Sequence, residues 1–222
     1  DIFKQVALRQ QLPLLNSFKL ASLEYKTVTA LYSNWTSIKK VLPGELIKIQ
    51  KGKMVSKENW YVSPQTKFLP KIIGKSDAIN QVSKALSLSV KRQLIADVPV
   101  GSFLSGGLDS SAIVALAKEH VPNLHCFTID PEGGSDDDVA EDLPYAIQVA
   151  EHLNVDLEIV KINSDNLADD LEEMIWHLDE PLADPAPLNV LYISRLAKER
   201  GMKVLLSGSG GDDLFTGYRR HL

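Results

Sequence analysis

Ser105-Gly106-Gly107-Leu108-Asp109-Ser110-Ser111 lies between an apolar run, Val98 to Leu104, and a stretch of helical spacing from about Ser110 to His120. A strand, a glycine-rich turn and a helix in that order decide the fold class. Paired glycines let the backbone turn tightly and approach a ligand with no Cβ in the way. The helix that follows offers unpaired N–H groups and the positive end of its dipole, where phosphate binds well. Serine hydroxyls add donors. A carboxylate in such a loop would repel phosphate, so Asp109 reads as a ligand of a bridging Mg²⁺. A plain turn capped by Asp or Ser would need only one of these residues.

Outward from this loop the same grammar repeats. Leu124 to Ile129 reads as a strand, Val139 to Leu153 as a helix and Asp156 to Ile162 as a strand. Helices near 166–178 and 188–200 lead to a strand over Lys203 to Leu206. Upstream, Ile79, Val82, Leu86, Val90 and Leu94 give helical spacing from Asp77 to Ile95, with Ser76 or Asp77 as N-cap. Alternating strands and helices predict an α/β domain: a parallel sheet flanked by helices on both faces. The beginning of the chain reads differently. Helical segments over Ile2 to Leu31 break around Pro13, and a hairpin follows, with strands Gly44 to Gln50 and Met54 to Tyr61 joined at Lys51-Gly52-Lys53. Pro64 and Pro70 flank a polar stretch. The expected division is a small α+β piece over 1–66, a linker over 67–76 and the α/β domain over 77–222.

Composition narrows the function. The chain has 222 residues, 44% hydrophobic and 24% charged, the balance of a soluble globular protein. Lys+Arg total 24 against 29 Asp+Glu, a net charge of −5, which gives no support to nucleic-acid binding. No apolar run reaches the roughly 18–20 residues of a membrane span. The single cysteine, Cys126, rules out an internal disulfide, fits a reducing, cytoplasmic setting and sits inside a predicted strand as a buried thiol.

A second glycine-rich loop follows the last strand: Ser207-Gly208-Ser209-Gly210-Gly211-Asp212-Asp213, then Leu214-Phe215-Thr216-Gly217-Tyr218. Open α/β sheets bind ligands at the C-terminal ends of their strands. Two such loops on neighbouring strands would clamp one nucleotide, with Asp109 and Asp212 holding the metal between them. The loop over 105–111 is not a Walker motif, and Gly74-Lys75-Ser76 matches only the end of one, with Leu69 where the first glycine belongs. No dinucleotide fingerprint occurs either.

The two loops, with Trp176-His177-Leu178-Asp179-Glu180-Pro181-Leu182-Ala183-Asp184-Pro185 between them, resemble the synthetase domain of the asparagine synthetase family, whose pyrophosphate loop is of the N-type ATP pyrophosphatase kind. The segment Ile38 to Glu45 is similar to the end of that family's glutaminase domain, a fold with an N-terminal nucleophile. The resemblance implies an adenine nucleotide alpha-hydrolase-like fold and an ATP-dependent ligase. Such a ligase adenylates a carboxylate, aspartate or another, and forms the amide with ammonia from glutamine, releasing AMP and pyrophosphate. It implies ATP and Mg²⁺ as cofactors, small-molecule partners only, no nucleic acid and no membrane, and leaves a homodimer open. By position, Ser105, Gly106, Gly107, Asp109 and Ser110 would hold pyrophosphate, with Asp109 and Asp212 on Mg²⁺. Leu104, Ile129, Ser207 and Gly208 would contact the adenosine.

Some features depart from the family pattern. Ser209 stands where an acid is usual, and Asp212-Asp213 replaces Asp-Glu. The acid usual at Ser209 is thought to accept a proton in the ammonia-dependent step, and Asp213 is the candidate to take over that catalytic role. Otherwise the shape of the acceptor fills the space. The chain opens at Asp1 and stops at Leu222, which suggests an internal segment of a longer enzyme lacking the glutaminase cysteine. Among other chemical-looking residues, His177 is expected to be packed, and Asp136-Asp137-Asp138 to favour a helix dipole. Asp179, Glu180 and Asp184 stay open between a stiffened loop and the active site, as do Arg219 and Arg220 between the surface and a substrate anion. Two rivals remain: a nucleotide-splitting ligase that modifies tRNA, and an ATP-binding module without turnover.

Overall fold

The computed structural model describes residues 38–62, 74–130, 137–162, 167–178, 182, 186–215 and 217. The expected helices before Pro13 and after it, most of the linker, Asp136, Asp179, Glu180, Asp184, Arg219 and Arg220 lie outside them, as do the side chains of Asp137 and Asp138. The chain divides into two compact units, Asp1–Ile72 with Leu171–Pro185, and Ile73–Asp170 with Ala186–Leu222.

In the first unit, β1 (Glu45–Gln50) and β2 (Lys53–Asn59) form an antiparallel hairpin. Its turn places Lys51 and Gly52 at φ +50° and +73°, the left-handed pair that suits the twist of a tight hairpin. The Glu45 carboxylate accepts the Leu42 N–H at 2.9 Å and meets Lys57 Nζ at 2.9 Å. Pairing ends at Asn59, short of the expected Tyr61, because Trp60 and Tyr61 turn their N–H groups to the Gly44 carbonyl.

The second unit holds β3 (Val100–Phe103), β4 (His125–Asp130), β5 (Asp156–Lys161) and β6 (Val204–Leu206), all parallel, in the order β5-β4-β3-β6. Its helices are α1 (Lys75–Gln93), α2 (Leu108–Lys118), α3 (Asp137–Leu153), the first residues of α4 (Leu167–His177), whose remainder from Leu171 falls in the first unit, α5 (Ala186–Glu199) and a short α6 (Gly211–Phe215). β4 shows why the sheet is covered on both faces. Cys126 packs with Val90 of α1, Val114 and Ala117 of α2, and Ala146 and Ala150 of α3. Its neighbour Phe127 points the other way, with Ile129 onto Ile193 and Ala197 of α5. Successive strand residues face opposite sides, so a run buried on both must be continuously apolar. Each such fully buried side chain contributes about 1.5–3 kcal/mol.

The flanked parallel sheet is as expected; several details differ. α1 begins at Lys75, inside the stretch read as linker, with Gly74 at the cap position and no side-chain cap bond. Ser76 and Asp77 therefore sit in the first turn, where the Asp77 charge favours the helix dipole. α2 begins at Leu108, with Gly107 at the cap position and no side-chain cap bond. His177 is mostly exposed rather than packed: it ends α4, and its ring lies 3.6 Å from the carboxylate of Glu173, one turn back. Cys126 is fully buried as expected, and burial pushes its thiol up to about 12.

Asp170, in the first turn of α4, ties that helix to α5, accepting Arg195 Nη1 at 2.6 Å and the Tyr192 hydroxyl at 2.8 Å. The Arg195 hydrogen bond, then the Tyr192 one, holds its carboxyl below the usual carboxylate range. A depressed folded-state value stabilises the fold above the unfolded carboxyl's pKa, about 3.9, and the gain is lost as pH falls through the folded value. Asp170→Asn is therefore expected to lower urea stability at pH 7, with the gap to wild type closing as the pH drops below about 4. A gap independent of pH would rule out the charge as its source.

Candidate active site

β3 is the strand from which the chain leaves in both directions, to β4 and β5 on one side and, later, to β6 on the other. Crevices open at such a switch point, outside the carboxyl ends of the strands. The loops after β3 and β6 emerge there side by side and line one cavity of about 710 Å³.

The first loop is knitted by its serines. The Ser105 N–H donates to Ser110 Oγ at 3.2 Å, the two hydroxyls lie 3.0 Å apart, and Ser110 Oγ donates to the Gly107 carbonyl at 3.1 Å. Ser111 Oγ donates to the same carbonyl at 2.8 Å. Ser110 is buried, so its hydroxyl holds the loop in shape. No side chain caps α2, which leaves its first N–H groups facing the cavity end of the helix. In the second loop the Ser207 and Ser209 hydroxyls pair at 2.7 Å, and the Ser209 N–H donates to Ser207 Oγ at 3.1 Å.

Glycines bring the loops together. A Cβ on Gly208 would stand 2.7 Å from the Ser110 nitrogen and 2.8 Å from the Asp109 carbonyl carbon. One on Gly211 would collide with the Asp109 carboxylate, and one on Gly217 with that of Asp212. The Asp109 carboxylate therefore lies directly against the backbone that starts α6, next to Asp212. Gly106, at φ +88°, turns instead toward α3.

Of the residues singled out in the sequence, Leu104, Ser105, Gly107, Asp109, Ser110, Ile129, Ser207, Gly208, Ser209 and Asp212 line the cavity. Gly106 and Asp213 do not, and Asp213 is exposed on α6. Lining residues from two helices were not foreseen. Asp142 and Leu143 come from α3, and Ala186, Asn189, Val190 and Ile193 from α5. The spacing of the last four, i, i+3, i+4 and i+7, is one face of a helix.

The ionisable side chains among the described lining residues are Asp109, Asp142 and Asp212, all acidic. Among the described residues no group of three or more His, Cys, Asp or Glu is arranged to hold a metal. Two carboxylates on adjoining loops nevertheless fit Mg²⁺, which typically takes one or two carboxylates and completes its shell with phosphates and water.

Residues 81–222 match the sequence profile of the asparagine synthase family. The chain is 35% identical over 183 residues to asparagine synthetase (glutamine-hydrolyzing) 1 of Bacillus subtilis, covering 82% of this chain and 27% of that protein. It is 42% identical over 141 residues to a putative asparagine synthetase (glutamine-hydrolyzing) of Mycobacterium tuberculosis, covering 63% of this chain and 21% of that protein. It is 31% identical over 198 residues to amidase chyE of Penicillium rubens, covering 82% and 29%. The chain thus spans about a quarter of the length of the curated relatives it matches.

Proposed function

Because the chain belongs to the asparagine synthase family, we propose that it carries the ATP-splitting centre of an amidotransferase that activates a carboxylate and converts it to an amide. The observation that carries this reading is the meeting of two glycine loops on β3 and β6 over one cavity, with the Asp109 carboxylate pressed against Gly211. The uncapped start of α2 and the N–H groups of the first loop receive the pyrophosphate half of ATP. Gly208, flush against the start of α2, lets the second loop close on the nucleotide without a side chain in the way. Asp109 and Asp212 would hold Mg²⁺, whose charge offsets that of the phosphates. Leu104 and Ile129, both buried, give the adenosine an apolar seat. Aspartate as acceptor, ammonia from glutamine, and AMP and pyrophosphate as products follow the family's chemistry, in a reducing, cytoplasmic setting.

A second reading has its own observation. Ser209 replaces the usual acid, and its hydroxyl is paired with Ser207 rather than extended as a charge. A hydroxyl is too weak a base to take a proton near neutral pH unaided. That favours an acceptor other than aspartate, such as a sugar acid or a peptide side chain.

Pyrophosphate release from ATP by the full-length protein with ammonia tests both. Release that requires aspartate supports the first reading. Release that requires another carboxylate supports the second. No release with any carboxylate leaves the reading of this centre as ATP-splitting wrong.

A further inference from the structure

The serines of the two cavity loops can be followed proton by proton. Each hydroxyl has one proton to donate and two lone pairs to accept with. In the first loop Ser110 Oγ and Ser111 Oγ both donate to the Gly107 carbonyl, which can only accept. The Ser110 proton is thereby used, so the proton in the 3.0 Å contact between Ser105 and Ser110 must come from Ser105. Three hydroxyl protons are present and all three are taken inside the loop. Donors for a ligand on this side must therefore be backbone N–H groups.

The second loop does not balance in the same way. Ser207 Oγ accepts the Ser209 N–H at 3.1 Å and lies 2.7 Å from Ser209 Oγ. Two hydroxyl protons serve one mutual bond, and among the described residues no other group takes the one left over. Both serines line the cavity. Gly208 between them lies against the Ser110 nitrogen and Asp109, so the pair flanks the point where the two loops touch.

Resting on the ATP-splitting reading of this centre, we propose that Ser207 and Ser209 act as one neutral hydrogen-bond donor to an anionic oxygen of the reacting groups, with Ser209 as the residue that positions it. That oxygen belongs to a nucleotide phosphate or to the carboxylate of the acceptor. Hydrogen bonds to ionised groups are about twice as strong as those between neutral ones. An acid at position 209 would invert the site: it would take the Ser207 proton and set a negative charge where the anion goes.

The test compares wild type with Ser207→Ala, Ser209→Ala, the double alanine variant and Ser209→Asp, all in the full-length protein. It measures dissociation constants for adenosine, AMP and pyrophosphate, and the KM of the carboxylate that supports pyrophosphate release, with aspartate as the first probe. Either single alanine variant keeps one hydroxyl proton to give, so each is expected to stay within about threefold of wild type. The double variant and Ser209→Asp have none to spare and are expected to lose about tenfold or more. A loss in AMP affinity with adenosine unchanged assigns the oxygen to a phosphate. A rise in KM with AMP unchanged assigns it to the acceptor. Pyrophosphate affinity is expected to hold in the alanine variants, as the sign of an intact first loop. Single losses that merely add up to the double loss overturn the inference, and so does an equal loss for adenosine and AMP, the mark of a structural role. Wild-type protein that binds neither AMP nor pyrophosphate overturns the reading of the centre itself. Wild-type binding that all four variants retain overturns this assignment alone.

Discussion

Asp109→Asn is expected to lower pyrophosphate release by the full-length enzyme about a hundredfold or more, the scale of losing a metal ligand that acts in the transition state. Asparagine has nearly the same shape, so it still fits against Gly211, where a Cβ would already collide with the native carboxylate. What changes is charge. The neutral amide binds a cation weakly, leaving Asp212 and Asp142 as the acidic side chains among the described lining residues. The measurement is a pyrophosphate-release assay across a Mg²⁺ titration, alongside a thermal melt. An unchanged melt with a rate that excess Mg²⁺ partly restores supports a ligand role. A near wild-type rate would show that Asp109 is not a metal ligand.

The second large effect falls on stability. Gly106 has φ +88°, and a Cβ there would stand 2.5 Å from the Asp142 carbonyl oxygen and 2.6 Å from the Ala146 nitrogen. Left-handed backbone costs an L-residue about 1–2 kcal/mol, and forcing extra atoms into a packed contact adds about 1–3. Gly106→Ala is therefore expected to lose about 2–5 kcal/mol of unfolding free energy by urea titration. Gly52→Ala is the internal control. Its φ of +73° carries the same backbone cost, but nothing lies within 4 Å of the added carbon. It is expected to lose only the conformational part, about 1–2 kcal/mol. Equal losses at the two sites would mean that the approach to α3 is not tight.

The contrast between these two glycines also shows what was legible in the sequence. Gly106 and Gly52 look alike in a list of residues; only the placement of α3 separates them. The sheet was readable because short strands alternate with helices along the chain, the pattern of a parallel sheet covered on both faces. The two loops were readable because their glycines, serines and acids exceed what a turn needs. α6 was not, since five residues starting at Gly211 carry no period long enough to detect. Nor was the wall built from Asp142 and Asn189, because which residues of an amphipathic helix meet a cavity depends on where that helix docks. The start of α1 was misplaced for a local reason: a polar residue at the right spot suggests a cap, while Gly74 fills the position without any side-chain bond.

The pairing of β3 with β6 has a consequence for how the molecule is assembled. Ser102 Oγ reaches the Leu206 carbonyl at 3.4 Å across 104 residues of chain. β3, β4 and β5, with the helices between them, are contiguous in sequence and complete by residue 161, whereas β6 arrives only after a further excursion through α4 and α5. Contacts that close long loops form slowly and lag behind local ones. A growing chain therefore carries its first glycine loop well before the strand that delivers the second. The centre comes into being in a single late event, the docking of three residues, Val204–Leu206, against the exposed side of β3. A ligand that bridges both loops would stabilise only the state in which β6 is paired with β3.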